Sequence, residues 1–381
     1  MYYYILFSAI VIILLGYFSK INKYEGFSGD ECKNITNVEM RHPISPIDYD
    51  NEIYCHDIRD FYIKTAYNCC ATGDFKNGYV DLCALKHCIK QGARCLDICI
   101  FNIEGTPQVA ISNDDSFMLK GSWNSIHLDK VLTEIADSAF NPNTKICGNS
   151  SDPLFLHLRI KSAQDQIYTK VANLIELTLG NRLLDVNIYG KEYNVANTNK
   201  HKNLGAIPLN HDDIRGKVII MVEMNNEIDI KDTHLDKYTN ISSAPIINLN
   251  LEKKVNAPPF LVSRRYSEVI NTHSMNDIIN SNKKNMTICL PDYSNKPTNP
   301  SSTTLKSYGC QFIAQCFQHN DSNLQTYNDI FKNKAFILKP KQLRYIKVFA
   351  EKPKPPPKDM GLGTTAAIHI IGPAGARKKC V

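Results

Sequence analysis

The chain has 381 residues, 43% of them apolar and 22% charged, a composition that buries a full core and excludes an intrinsically disordered protein. Its formal charge of +6 is small for that length, and Lys and Arg are scattered among Asp, Glu and Asn, so no nucleic-acid partner is expected. One large domain with extensions at both ends is the economical reading.

Tyr2 to Phe18 (YYYILFSAIVIILLGYF) carries no charge and, at about 1.5 Å per residue, reaches most of a roughly 30 Å hydrocarbon core. It lacks a basic start and a small-x-small site before Ser19, which favours a retained single-pass membrane anchor over a cleaved signal peptide. Lys20 and Lys23 follow the run, so the positive-inside rule places the body on the cytosolic side. An odd count of 13 cysteines, with Cys69 and Cys70 adjacent, agrees with a reducing side and mostly free thiols. The Asn-x-Ser/Thr sequons at Asn34, Asn149, Asn240, Asn285 and Asn320 are what an Asn-, Ser- and Thr-rich chain produces by chance.

Residues 19–51 are polar and irregular and read as a spacer. The body then alternates strand and helix patterns. Phe61 to Ala66 reads as a strand, Val80 to Gln91 as a helix, and Arg94 to Phe101 as a strand ending in a turn at Glu104 and Gly105. Leu128 to Phe140 places Val131, Leu132, Ile135 and Ala139 on one helical face. Leu154 to Ile160 is the next strand, Ala163 to Leu179 a helix stopped at Gly180, and Lys217 to Val222 (KVIIMV) a buried parallel strand. Residues 225–259 have no period and read as a linker. Beyond Phe260, a helix is predicted over Val269 to Asn280 and a strand over Gln311 to Phe317. A proline-rich spacer at Glu351 to Lys358 and a basic tail close the chain. The alternation predicts an α/β fold. Cys83, Cys88, Cys95 and Cys99 lack a Cys-x-x-Cys unit and read as buried thiols rather than zinc ligands.

Several blocks make the pattern specific. They are Lys90 to Phe101 (KQGARCLDICIF), Ala139 with Phe140, Gln164 and Gln166, then Tyr266, Ser267 and Glu268, then Gly309, Cys310, Gln311, Phe317 and Gln318, and finally Leu338, Lys339, Pro340, Leu343 and Arg344. In this order they resemble the X and Y halves of the catalytic barrel of eukaryotic phosphoinositide-specific phospholipase C, over about three quarters of the chain. The resemblance implies a distorted TIM (β/α) barrel, with an X-like half at 52–224, the linker at 225–259, a Y-like half at 260–350 and a tail at 351–381.

Chemistry in that family needs two histidines as base and acid and a Ca²⁺ ion held by oxygen ligands. Tyr67 stands at the position of the first catalytic histidine, and a phenol does not replace imidazole at neutral pH. The second histidine falls at Ile111 or Ser112. Asn68 and Asp97 keep two oxygen ligands of a vestigial Ca²⁺ site, while Cys99 and Arg159 replace metal carboxylates. Substrate-binding lysines are displaced by Met221 and Glu223, and Ser267 is the remaining candidate for ligand binding. The expectation is a membrane-anchored pseudoenzyme that binds a phosphoinositide or other phospholipid headgroup or serves a structural role. Ca²⁺ is expected only if the site is active. One alternative is an active phosphoric diester hydrolase with a rebuilt site, its base supplied by His56, His127, His157 or His211. Another is a scaffold of a viral particle or organelle membrane.

Overall fold

A computed structural model describes residues 44–114, 119–189, 204–225, 228–245 and 260–346, together with Cys32, Lys33 and Ile35. The apolar run at Tyr2 to Phe18 and the tail beyond residue 346 lie outside the described residues. Among the described residues, no helix is long and apolar enough to cross a membrane.

Eleven strands follow one another along the chain: β1 (Phe61–Ala66), β2 (Cys95–Ile103), β3 (Thr106–Val109), β4 (Ile126–His127), β5 (Leu154–Lys161), β6 (Val218–Glu223), β7 (Ile241–Pro245), β8 (Leu261–Arg265), β9 (Met286–Leu290), β10 (Phe312–Gln315) and β11 (Phe336–Leu338). Eight of them, β1, β2 and β5 to β10, are parallel and close into a barrel through Thr65↔Cys95 and Ala66↔Leu96. β11 runs antiparallel beside the start of β1, Phe61↔Leu338 to Ile63↔Phe336, ahead of the residues of β1 that pair with β2. The hairpin of β3 and β4 extends β2 on the outside. The expected distorted TIM barrel is therefore present.

The physical basis is the run of residues buried on both faces. Every residue of β1 and β5 is buried, as are Val218–Val222 of β6, as a parallel strand between lumen and helices requires. Phe155 of β5 and Phe312 of β10, on strands that are not neighbours, meet edge to face with ring centroids 5.2 Å apart, filling the lumen.

Helices cover the outside: α1 (Leu82–Lys90), α2 (Leu128–Phe140), α3 (Asp165–Leu179), α4 (Tyr266–Ile270), α5 (Met275–Lys284), α6 (Ser302–Ser307) and α7 (Ser322–Phe331). Asp81 caps α1 by accepting from the Cys83 N–H at 2.8 Å. Gly92, at φ +84°, turns the chain from α1 into β2, and a Cβ there would lie 2.8 Å from the Ile44 side chain.

Three expectations need correction. The predicted linker supplies the barrel strand β7, whose sequence Ile-Ser-Ser-Ala-Pro reads as polar because Ser243 points at a lumen histidine rather than at apolar neighbours. The predicted helix over Val269 to Asn280 is two helices, α4 and α5, since Ser274 starts a new one by accepting from the Asp277 N–H. Cys83, expected to be a free thiol, forms a disulfide with Cys32. Cys88, Cys95 and Cys99 are buried thiols as expected.

Candidate functional site

In a parallel barrel the chemistry-bearing residues stand at the carboxyl ends of the strands. Here that end collects Tyr67 and Asn68 just after β1, Asp97 and Cys99 on β2, His157 and Arg159 on β5, Glu223 closing β6, Ser243 on β7 and Arg265 closing β8. The register explains their meeting: Asp97 lies beside His157, and Cys99 beside Arg159. Period-two alternation then turns His157 and Arg159 to the same face.

Asp97 sits at the centre and is fully buried. Its Oδ1 accepts from Arg159 Nε at 2.9 Å and His157 Nδ1 at 2.8 Å. Its Oδ2 accepts from Arg159 Nη2 at 2.8 Å and the Asn68 backbone N–H at 3.1 Å. Burial alone would raise the Asp97 pKa, but the Arg159 charge and the bonds from His157 and Arg159 outweigh it and hold the carboxyl well below its usual range. An ionised carboxylate only accepts, so His157 carries its proton on Nδ1, and in the neutral ring Nε2 takes the Ser243 hydroxyl hydrogen at 3.0 Å.

Arg159 also reaches Asn68. Its Nη2 donates to Asn68 Oδ1 at 2.6 Å, and the guanidinium lies 4.9 Å from the centroid of the Tyr67 ring. On the other side of that ring stands Arg265, 6.0 Å from its centroid, with Nη1 donating to the Tyr67 hydroxyl at 3.2 Å and to the Pro291 carbonyl at 2.8 Å. Tyr293 stacks on Arg265 at 3.5 Å. Asn68 itself has φ +42°, a left-handed conformation that Asn tolerates and that ends β1 sharply.

The expected Ca²⁺ ligands Asn68 and Asp97 are thus brought together as the sequence suggested, but what they ligate is a guanidinium. Both oxygens of Asp97 and the carbonyl oxygen of Asn68 accept from Arg159. Cys99 offers a buried thiol beside Phe101 and Ala110, and a cation already occupies the position the ion would need. These residues do not fit Ca²⁺, which asks for six to eight accessible oxygen ligands.

The other sequence candidates resolve locally. Ser267 donates its Oγ to Asp292 Oδ1 at 2.7 Å and its N–H to the same oxygen at 3.0 Å, so it fastens α4 to the loop after β9. Glu268 accepts from the Arg265 N–H at 2.6 Å, closing a capping box. Ile111 is buried, and Ser112 pairs with Asp114. Glu223 accepts from Ser263 Oγ at 2.9 Å. Of the candidate bases, His56 lies beside Arg344, His127 precedes α2 and lines an outer groove with Asp129 and Lys170, and His211 stands near Asp213. His157 alone of these four joins the cluster. Its connection to Asp97 and Ser243 has the order of an acyl-transfer triad, yet all three side chains are fully buried, so the relay orients Asp97 and presents no nucleophile. Sequence reasoning missed Arg265, Tyr293 and Ser243. Only the position of Arg265 at the end of a strand was a usable signal.

Fold and mouth together define a parallel βα barrel of the phospholipase C type whose mouth holds an internal ion pair, Arg159 with Asp97. Residues 54–223 match the family model described as phosphatidylinositol-specific phospholipase C, X domain. Among solved structures it is similar to PLC21 of L. pealei, with 18% identity and a TM-score of 0.60 over 76% of this chain and 38% of that one. It is also similar to PLC21 of S. officinalis, with 18% identity and a TM-score of 0.58 over 77% of this chain and 38% of that one. At such identity the likeness speaks for the fold, and this chain spans 38% of the length of those relatives. No curated protein matches the sequence.

Proposed function

We propose that this chain is a phospholipase C-like barrel that does not cleave phosphodiesters and serves as a binding module for a phospholipid headgroup, attached to a membrane by the apolar run Tyr2 to Phe18. The observation that carries the reading is the saturation of Asp97, whose two oxygens accept four donors, two of them from Arg159. In a mouth built this way the one histidine of the cluster is out of reach of solvent, since His157 is fully buried, and the Asp97 carboxylate is committed to an internal ion pair. What it keeps is positive charge around an aromatic ring, Arg159 and Arg265 about Tyr67, which suits attraction of an anionic headgroup.

The test is a liposome assay on the full chain that reads sedimentation and release of water-soluble phosphate together, with and without Ca²⁺. Binding to phosphatidylinositol vesicles without release is the expected result. Turnover that depends on Asn68 or Asp97 would sink the reading and restore the hydrolase.

A further inference from the structure

The fold sorts the Asn-x-Ser/Thr sequons. Asn149 is 0% exposed, its Oδ1 accepting from Arg94 Nη2 at 2.9 Å and its Nδ2 donating to Asp152 Oδ2 at 3.1 Å. Asn240 is 4% exposed, and its Nδ2 donates to the Leu184 and Tyr189 carbonyls at 3.2 and 3.0 Å. A sugar on either nitrogen has no room and strips a partner from a buried acceptor. Asn285 is half-exposed, but Thr287 of its sequon is buried in β9 with the hydroxyl given to Asn282 Oδ1 at 2.6 Å. Asn34 lies outside the described residues.

Asn320 differs from these. It is exposed on the loop between β10 and α7, as is Ser322, the hydroxyl residue of its sequon. The residues around it are fastened: Asn299 Nδ2 donates to the His319 carbonyl at 2.8 Å and to Asp321 Oδ1 at 3.1 Å, and Asp321 caps α7 by accepting from the Leu324 N–H at 2.8 Å. The Asn320 side chain takes one contact, Oδ1 accepting from Gln325 Nε2 at 3.5 Å, and among the described residues its Nδ2 donates to nothing. A sugar on that nitrogen displaces water alone. A second observation is independent of the motif. Cys32 and Cys83 form a half-exposed disulfide, a bond that persists in oxidising compartments and is rare in the cytosol, and N-linked sugars belong to proteins of those same compartments.

We infer that Asn320 carries an N-linked glycan and that the barrel lies in the oxidising lumen of the secretory pathway. Lys20 and Lys23 favour the opposite orientation by two charges alone, and a covalent cross-link within the body is the heavier observation. In the transfer, Asn320 Nδ2 bonds to C1 of an oligosaccharide carried on a lipid pyrophosphate. The C1–O bond breaks, the lipid pyrophosphate leaves with that electron pair, and the amide nitrogen gives one proton to a base of the transferring enzyme. The modification is independent of headgroup binding and uses no residue of the mouth.

The full chain is expressed in cultured eukaryotic cells, and its membrane fraction is run on gels before and after a peptide N-glycosidase, which removes the sugar and leaves an aspartate in place of Asn320 for peptide mass spectrometry. A glycan at Asn320 is expected, lost in Asn320→Gln and in Ser322→Ala and retained in Ser322→Thr, which keeps the hydroxyl. All three variants change exposed side chains, so thermal unfolding should match that of the parent chain. Alkylation of the same sample reads the Cys32–Cys83 bond. A chain without sugar whose Cys32–Cys83 bond is intact overturns the site, and one without sugar whose cysteines are reduced overturns the compartment as well. A glycosidase-sensitive shift that is unchanged in Asn320→Gln places the sugar at another sequon and overturns the assignment.

Discussion

Asp97 on β2 and Arg159 on β5 grip one another through two charge-assisted bonds of 2.9 and 2.8 Å inside the barrel mouth. Both are buried, so the pair is neutral only as a pair. Taking two charges out of water is repaid only when the geometry is good and the remaining lone pairs are satisfied, and His157 and the Asn68 N–H complete the carboxylate.

Breaking that pair should therefore be costly. Arg159→Ala leaves the Asp97 carboxylate buried without its partner and is expected to lower unfolding free energy by about 3–5 kcal/mol. Replacing both residues by Asp97→Leu and Arg159→Met should cost less than the sum of the single changes, since no orphaned charge remains. Urea unfolding of the four proteins of the cycle measures both effects, and additive single changes would refute the coupling.

Restoring one residue of the family's chemistry should not restore activity. In Tyr67→His an imidazole returns to its family position, but Asp97 and Asn68 still ligate Arg159. Release of water-soluble phosphate from phosphatidylinositol is expected to remain at background in Ca²⁺. Cleavage by this single variant would mean that Arg159 yields its place to the ion.

Two buried lysines should make the barrel more stable in alkali. Burial lowers Lys64, whose Nζ donates to the Gln91 carbonyl at 2.6 Å, and Lys339, whose Nζ donates to the Asn282 carbonyl at 3.2 Å, each to about 7. Unfolded lysine titrates near about 10.4. Between these values the unfolded chain holds more protons than the native one, so stability rises with pH through that window and levels off above it. Chemical unfolding across the window should show the rise, and Lys64→Met should flatten it. An unchanged slope in the variant would show that Lys64 stays charged in the fold.

The Cys32–Cys83 disulfide closes 51 residues of separation, which on loop entropy alone amounts to about 4 kcal/mol. Reduction should lower the thermal midpoint and tether the amino-terminal segment less firmly to α1, seen as a change in protease sensitivity before Ile44. The same bond bears on compartment. The cysteines that are free among the described residues are all buried, so they report packing, whereas the half-exposed disulfide weighs against a strongly reducing surrounding. Mass measurement of alkylated protein from its native source separates the oxidised and reduced forms.

What the sequence determined by itself is the scaffold. Apolar runs such as Val218–Val222 and the periodic face of Leu128–Phe140 specify strand and helix locally, because burial and helical period are properties of a few consecutive residues. The same locality let the resemblance suggest which side chains stand at the family's catalytic positions, Tyr67, Cys99 and Arg159 among them. The tertiary structure decided what those side chains do. Arg159, read from sequence as the replacement of a metal carboxylate, is the ligand that Asn68 and Asp97 share. Ser267, read as a binding residue, is a fastener for Asp292. The strand at Ile241–Pro245 was illegible because its inward Ser243 answers to His157 on a strand more than eighty residues away in sequence. Hydrogen bonds of that kind depend on barrel closure and register, which no short window of sequence contains.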